Sequence, residues 1–337
     1  MKTINNGSLG TMSVIGLGCW NLGNQWAKTT TEESIQIIRR AIDGGISFVD
    51  VAESYGIPDG QCEIILGQAL KDGYREKVII VSKVGWYGQR GKNAINPKSK
   101  FQQKLRAYHR KITNKMFDFK EIDFIQRTPE LIRLCGQACC GRLKTDYIDV
   151  LLCHDGNIKN PQPFIDGFRA LKAEGFIKHY GISTNDLNVL KRFYEYSEGE
   201  CEVCECEYSL LNKSPEKTIF PFCQEHNIAI LTRSALSMGL LAGKYNLETH
   251  FSEEARKQWN KGGALRDVFE KKISVVEKIK TIVKIENLAS VAYRYAFSGQ
   301  CNTSVVIGAT SLGQIEENLN IASEFLDTDI YKLLSNM

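Results

Sequence analysis

The chain has 337 residues, 43% of them apolar, and a formal net charge of +4. That is enough for a large core, and a closed barrel of this length can be one domain. No apolar stretch approaches the ~18 residues of a membrane span. Met1 to Gly10 is polar and lacks the apolar run of a secretory leader, so a cytoplasmic protein is expected. The eleven cysteines are scattered through the chain and read as reduced thiols, not a disulfide frame.

Short β-rich runs alternate with amphipathic helical runs. The polar start, Lys2 to Thr11 with Asn6-Gly7, predicts a hairpin that caps the bottom of a barrel. Strands are predicted at Val14–Leu17, Ile46–Asp50, Val78–Ser82, Ile148–Leu152, Tyr180–Ser183, Glu202–Glu207, Ile228–Thr232 and Ser304–Ile307. Helices fall between them, at Glu32–Asp43, Gln61–Lys71, Pro129–Arg142, Pro163–Ala173, Pro215–His226, Leu288–Phe297 and Leu312–Leu326. Thr31-Glu32-Glu33 and Ser311 mark starts, and Gly44-Gly45, Gly73 and Gly175 mark stops. Strands followed by helices in this rhythm predict a (β/α)8 TIM barrel, a single domain over 1–337.

Two long insertions interrupt the short loops, at about 85–127 after the third strand and about 243–270 after the seventh. Loops leaving the C-terminal strand ends of such a barrel build the active site, and long ones carry specificity. From Gly85 to Met116 there are nine Lys or Arg and no acid. This is either a solvated loop or a basic rim that attracts an anionic substrate. No nucleic-acid motif accompanies it. Cys201, Cys204 and Cys206 loosely suggest a metal site. They read better as small apolar residues of a strand, and no metal is expected.

Four polar residues stand at or just beyond predicted strand ends: Asp50, Tyr55, Lys83 and His154. Together they make a proton donor for carbonyl reduction. A free tyrosine holds its proton too tightly, with a pKa near ~10. A nearby ammonium lowers that value, a carboxylate holds the ammonium, and a histidine donates a hydrogen bond to the substrate oxygen. Any one of the four alone is better explained as a barrel-stabilising contact or a loop cap.

The runs carrying these residues resemble the aldo-keto reductase superfamily over nearly the whole chain. They are Asp50-Val-Ala-Glu-Ser-Tyr55-Gly56, Glu63-Ile-Ile-Leu-Gly67, Val81-Ser-Lys83-Val and Asp146-Tyr-Ile-Asp-Val-Leu-Leu-Cys-His154. The resemblance implies that Tyr55 is the general acid in reduction and the base in oxidation. It implies that Lys83 tunes Tyr55, that Asp50 anchors Lys83, and that His154 orients the carbonyl. It implies an NADP or NAD cofactor and a carbonyl or sugar substrate.

The same resemblance assigns cofactor contacts. Gly181-Ile-Ser183-Thr-Asn185 is similar to the segment that holds the nicotinamide carboxamide, with Thr184 intervening, so Ser183 and Asn185 are chosen. Glu205 stands where the family usually has Gln, and a carboxylate only accepts hydrogen bonds. Arg233 stands where an aromatic often stacks. Glu205 and Arg233, on neighbouring strands, are expected to pair and to set the field around the nicotinamide. Ser234, Leu236 and Gly239 fall in the loop that resembles the pyrophosphate cover. Gly308, Thr310, Gln314, Glu317 and Asn318 resemble the adenosine end. Family members that prefer NADP often place Lys or Arg between 308 and 314, and this chain has none there. NAD and NADP both stay open.

Phe117-Asp118-Phe119 resembles a stretch of sugar-modifying family members, and Trp20 and Trp86 are placed in the substrate pocket or in packing at the barrel mouth. The alternative function is a cofactor-binding auxiliary or regulatory subunit without significant turnover, a role some members of the superfamily have.

Overall fold

The structure is a computed structural model and describes residues 1–24, 29–85, 127–252, 254–283, 287–299 and 301–337. The basic run from Arg90 to Lys115, the Phe117-Asp118-Phe119 stretch and Trp86 lie outside the described residues.

Ten strands are present among the described residues. β1 (Thr3–Asn5) and β2 (Thr11–Ser13) form the antiparallel hairpin. β3 (Ile15–Gly18), β4 (Phe48–Asp50), β5 (Ile79–Val84), β6 (Ile148–Cys153), β7 (Ile177–Ser183), β8 (Val203–Glu207), β9 (Ala229–Arg233) and β10 (Ser304–Gly308) close into a parallel barrel in that order, β10 returning to β3. This is the expected (β/α)8 barrel. The hairpin caps its bottom: Asn6 Nδ2 donates to Ile230 O at 2.9 Å, and Ile230 N donates to Asn6 Oδ1 at 2.7 Å. The Asn6 amide thereby satisfies both backbone groups of a residue near the start of β9, where a bare strand end would leave them unpaired.

Ten helices of the described residues pack outside: α1 (Thr31–Asp43), α2 (Gln61–Ala69), α3 (Pro129–Leu143), α4 (Gln162–Ala173), α5 (Leu187–Tyr196), α6 (Ile219–Glu225), α7 (Arg266–Val283), α8 (Leu288–Phe297), α9 (Leu312–Ile321) and α10 (Thr328–Ser335). α1 starts on a capping box. Thr30 Oγ1 accepts from Glu33 N at 3.1 Å, and the Glu33 carboxylate accepts from Thr30 N at 2.8 Å. α3 starts with Pro129 after the capping residue Thr128.

The helix expected over Pro215–His226 is divided into a 3₁₀ turn at Ser214–Lys217 and α6. Pro221 explains the break. In an uninterrupted helix its ring would meet the carbonyl of Lys217, whereas a restart at Ile219 places it in a first turn. The 243–270 region is not simply a loop. It carries a 3₁₀ segment at Glu254–Trp259 and the start of α7, which the sequence reading had not placed. An aromatic cluster gives it a core of its own: Trp259 and Phe269 stack with centroids 5.8 Å apart, and Phe251 meets Trp259 edge-on at 5.5 Å.

Alternation along the strands separates two cores. Phe48, Val81, Val150, Leu152, Val203, Ala229 and Leu231 fill the barrel interior. Val49, Ile80, Leu151, Tyr180, Ile182 and Cys204 face the helices. Cys201, Cys204 and Cys206 are buried free thiols, and among the described residues no group of His, Cys, Asp or Glu is placed to hold a metal ion. Gly181 is required where β7 meets β8. A Cβ there would stand 1.8 Å from Val203 O, closer than any side chain tolerates. Among the described residues no helix is long and apolar enough to cross a membrane.

Candidate active site

The interior positions end in polar residues at the C-terminal rim. Two residues beyond Phe48, Val81, Leu152, Val203 and Leu231 come Asp50, Lys83, His154, Glu205 and Arg233. The same period of two that fills the barrel with apolar side chains therefore aims these five at one end of its axis.

Lys83 is fully buried. Its Nζ contacts Asp50 Oδ2 and lies 3.3 Å from Val51 O, 3.3 Å from Glu205 Oε2 and 3.4 Å from Tyr55 Oη. An ammonium only donates, so the Tyr55 oxygen accepts from it and the phenolic hydrogen must point elsewhere. The Tyr55 loop is fixed to the Lys83 strand by backbone bonds. Val51 N donates to Val81 O at 2.9 Å, and Glu53 N to Lys83 O at 3.1 Å. The buried Glu53 carboxylate also accepts from Gly85 N at 2.7 Å. His154 sits beside the phenol, with ring centroids 6.0 Å apart and the planes at 77°.

Lys83 is held in its charged form: burial works against the ammonium, but Asp50, Glu205 and Tyr55 outweigh it. Asp50 moves the other way from a simple salt-bridge partner. Burial first, then the Glu205 charge, push its carboxyl up against the pull of Lys83. Tyr55 differs from the expectation of a phenol brought toward neutrality. Burial pushes it above its ordinary value; Lys83 lowers it, while Asp50 and Glu205 add to the rise. Lys83 acts in the expected direction but does not decide the outcome, because burial of the phenol outweighs it and the two carboxylates add to the rise.

A cavity of about 640 Å³ runs from Tyr55 across the rim to α9. Its walls include Trp20, Asp50, Tyr55, Glu205, Arg233, Ser234, Leu236, Gly239, Gly308, Gln314, Glu317 and Asn318. The volume suits an organic cofactor or substrate. Three cations, Arg233, Lys244 and Arg256, line it on the side of the Ser234–Gly239 turn. In that turn Ser234, Ser237 and Met238 hold positive φ of 62°, 48° and 55°. Non-glycine residues in that region store strain, which collects at functional sites. At the far end, Ser311 caps α9 by accepting from Gln314 N at 3.3 Å, and Gln314 Oε1 accepts from Thr310 N at 2.8 Å. Gly308 permits a close approach: a Cβ there would lie 2.5 Å from Asn21 Nδ2 in the cavity wall. Cations in the middle and polar groups at both ends fit the phosphates, ring amide and ribose of a nicotinamide dinucleotide.

Five of the chosen residues that the structure describes, Lys83, His154, Ser183, Asn185 and Thr310, do not wall this cavity. Ser183 Oγ lies behind Glu205, donating to its Oε1 at 3.3 Å. Asn185 Oδ1 accepts from Glu207 N at 2.8 Å and Arg233 Nη2 at 3.2 Å, joining β8 and β9. The expected Glu205–Arg233 pair is present, Nε to Oε1 at 3.5 Å. The Glu205–Lys83 contact was missed, although the shared inward phase of Val203–Glu205 and Val81–Lys83 is a signal that could have found it. Lys244, Tyr245, Arg256 and Tyr293 were missed as wall residues. Arg256 is buried and donates to Tyr245 Oη at 2.7 Å. No local pattern marks Lys244, Tyr245 and Arg256, whose place depends on how the 243–270 segment folds back, and Tyr293 comes from α8.

Residues 14–336 match the sequence model of the Aldo/keto reductase family. The chain belongs to that family. An uncharacterized oxidoreductase of Bacillus subtilis is 26% identical over 313 residues, 93% of this chain and 88% of that protein. The NADH-specific methylglyoxal reductase of Escherichia coli is 27% identical over 322 residues, 92% of this chain and 89% of that protein. Among solved structures, an aldo-keto reductase of Bacillus halodurans in its holo form superposes with a TM-score of 0.74 at 24% identity, covering 100% of this chain and 96% of that one.

Proposed function

We propose that this chain is an NAD(P)(H)-dependent oxidoreductase that interconverts the carbonyl of an aldehyde, ketone or sugar with the corresponding alcohol, its whole length forming one barrel domain. One observation carries the reading: a phenol 3.4 Å from a fully buried ammonium opens into a cavity whose other walls suit a dinucleotide. A bound reduced nicotinamide supplies the hydride for the carbonyl carbon. Tyr55 gives the carbonyl oxygen its proton and, in oxidation, takes the alcohol proton back. Lys83 stabilises the phenolate that this leaves, by charge at short range. Asp50 holds Lys83 in place. His154, beside the phenol, orients the carbonyl oxygen by a hydrogen bond. Trp20 covers one side of the entrance.

The cations Lys244 and Arg256 hold the cofactor phosphates, with Ser234, Leu236 and Gly239 as their cover, and Arg233 lies at the nicotinamide end beside Glu205. Gly308, Thr310, Gln314, Glu317 and Asn318 receive the adenosine. The NADH-specific relative supports use of NAD, as does the lack of Lys or Arg between 308 and 314. Ser183 and Asn185 stand behind the nicotinamide end, backing Glu205 and Arg233.

The experiment is quenching of protein fluorescence by NADH and NADPH, followed by turnover on a panel of aldehydes, ketones and aldoses. Quenching with turnover is expected. Quenching without turnover on any carbonyl, with a protein partner captured, would replace the enzyme by the auxiliary-subunit reading.

A further inference from the structure

Two buried carboxylates share one ammonium in this site. Asp50 and Glu205 are 3% and 1% exposed, and both meet the Lys83 Nζ. A second cation, Arg233, reaches the other Glu205 oxygen at 3.5 Å, but its side chain is 34% exposed and solvent screens it. With both carboxylates ionised, the three buried groups sum to one negative charge. Burial first, and then the Glu205 charge, push the Asp50 carboxyl up. The remaining neighbours of Glu205 are neutral at this point: Ser183 Oγ behind it and the Tyr55 phenol across Lys83. Asp50, Glu205 and Tyr55 all form part of the cavity wall, so the negative charge faces the cavity and not the protein interior.

We propose that Glu205 is a positioning residue that selects the redox state of the cofactor, the carboxylate pair astride Lys83 favouring the cationic oxidised nicotinamide over the neutral reduced ring. The inference rests on the cofactor reading above. The two forms of the cofactor are nearly the same shape and differ by one positive charge on the ring. A neutral amide at position 205 could meet the same hydrogen-bonding neighbours but would carry no charge with which to tell the forms apart. In a site of low effective dielectric a full charge does discriminate. Arg233, of opposite sign on the next strand, works against it.

The test measures dissociation constants for NAD+ and NADH, and for NADP+ and NADPH, by calorimetry and fluorescence. The proteins are the unsubstituted chain, Glu205→Gln and Arg233→Met. Glu205→Gln is expected to lower the preference for the oxidised form on the order of tenfold, chiefly by weakening that form. Arg233→Met is expected to raise it, and this variant carries the test if Glu205→Gln does not fold. A Glu205 that served only to hold the barrel together would weaken both forms alike and leave their ratio unmoved, which overturns the proposal. A ratio that moves the other way also overturns it. If no form binds the unsubstituted chain, the cofactor reading falls together with this inference. If all bind and the ratios ignore both substitutions, this inference alone falls.

Discussion

Replacing Lys83 by Met tests the chemistry at its centre. The side chain is fully buried and the two residues are of similar length, so packing is largely kept while the ammonium is lost. An ammonium 3.4 Å from a phenolate oxygen is worth about 5 kcal/mol at an effective dielectric of about 20. If about half of the phenolate charge has developed in the transition state, the barrier rises by about 2.5 kcal/mol, close to a hundredfold in rate. Stability suffers separately, since Asp50 and Glu205 then stand buried without their shared cation, a loss of roughly 3–5 kcal/mol before proton uptake relieves it. The double variant Asp50→Asn with Lys83→Met removes one of those charges. It is expected to recover much of the melting temperature but none of the rate. The assay is single-turnover oxidation of bound NADH or NADPH by a good carbonyl substrate, with thermal melts of each variant alongside. A folded, cofactor-binding Lys83→Met protein that reduces carbonyls at the unsubstituted rate would refute the proposed role of the ammonium.

Tyr55→Phe is expected to lower turnover by ~10²–10⁴-fold, since a general acid is lost, and to leave cofactor affinity unchanged. Its melting temperature should change little, because only the long bond to Lys83 disappears. In the unsubstituted protein the phenol is pushed above its ordinary value, so it stays protonated through neutral and mildly alkaline pH. Reduction should be flat over that range, while oxidation, which needs the phenolate, should keep rising with pH; a reduction rate that falls between about pH 7 and 9 would contradict this. The buried thiols set an alkaline limit to stability. Burial pushes Cys140 up to about 11 and Cys201 up to about 12, so the native chain keeps protons that the unfolded chain releases above about pH 9. Each such group then costs about 1.4 kcal/mol per pH unit, a loss that denaturant titrations at rising pH should resolve. Finally, if the positive charge of the run from Arg90 to Lys115 attracts anionic substrates, KM for anionic carbonyls should rise with salt and KM for neutral ones should not.

The barrel was legible because its strands obey one rule. Each predicted strand overlaps an observed one, and the largest shift of a strand start is at β7. β7 begins at Ile177 and not Tyr180 because Lys178 leaves the barrel to pair with Asp149 at 3.0 Å, and a polar pair reads as loop. The 243–270 segment was less legible. Its order comes from Phe251, Trp259 and Phe269 meeting across 18 residues, a tertiary event with no local period. The site divides in the same way. Asp50, Lys83, His154, Glu205 and Arg233 could be found from the sequence because each continues an inward-facing strand position past its last apolar residue. What the sequence could not give is the sum of their charges. Motif by motif, Lys83 reads as the residue that makes Tyr55 acidic. In three dimensions that ammonium is divided between Asp50 and Glu205, and burial wins, so the phenol rises. Under the proposed role, a tyrosine so placed keeps its proton over a wide pH range, and the expected outcome is reduction that tolerates alkaline pH and oxidation that rises with it.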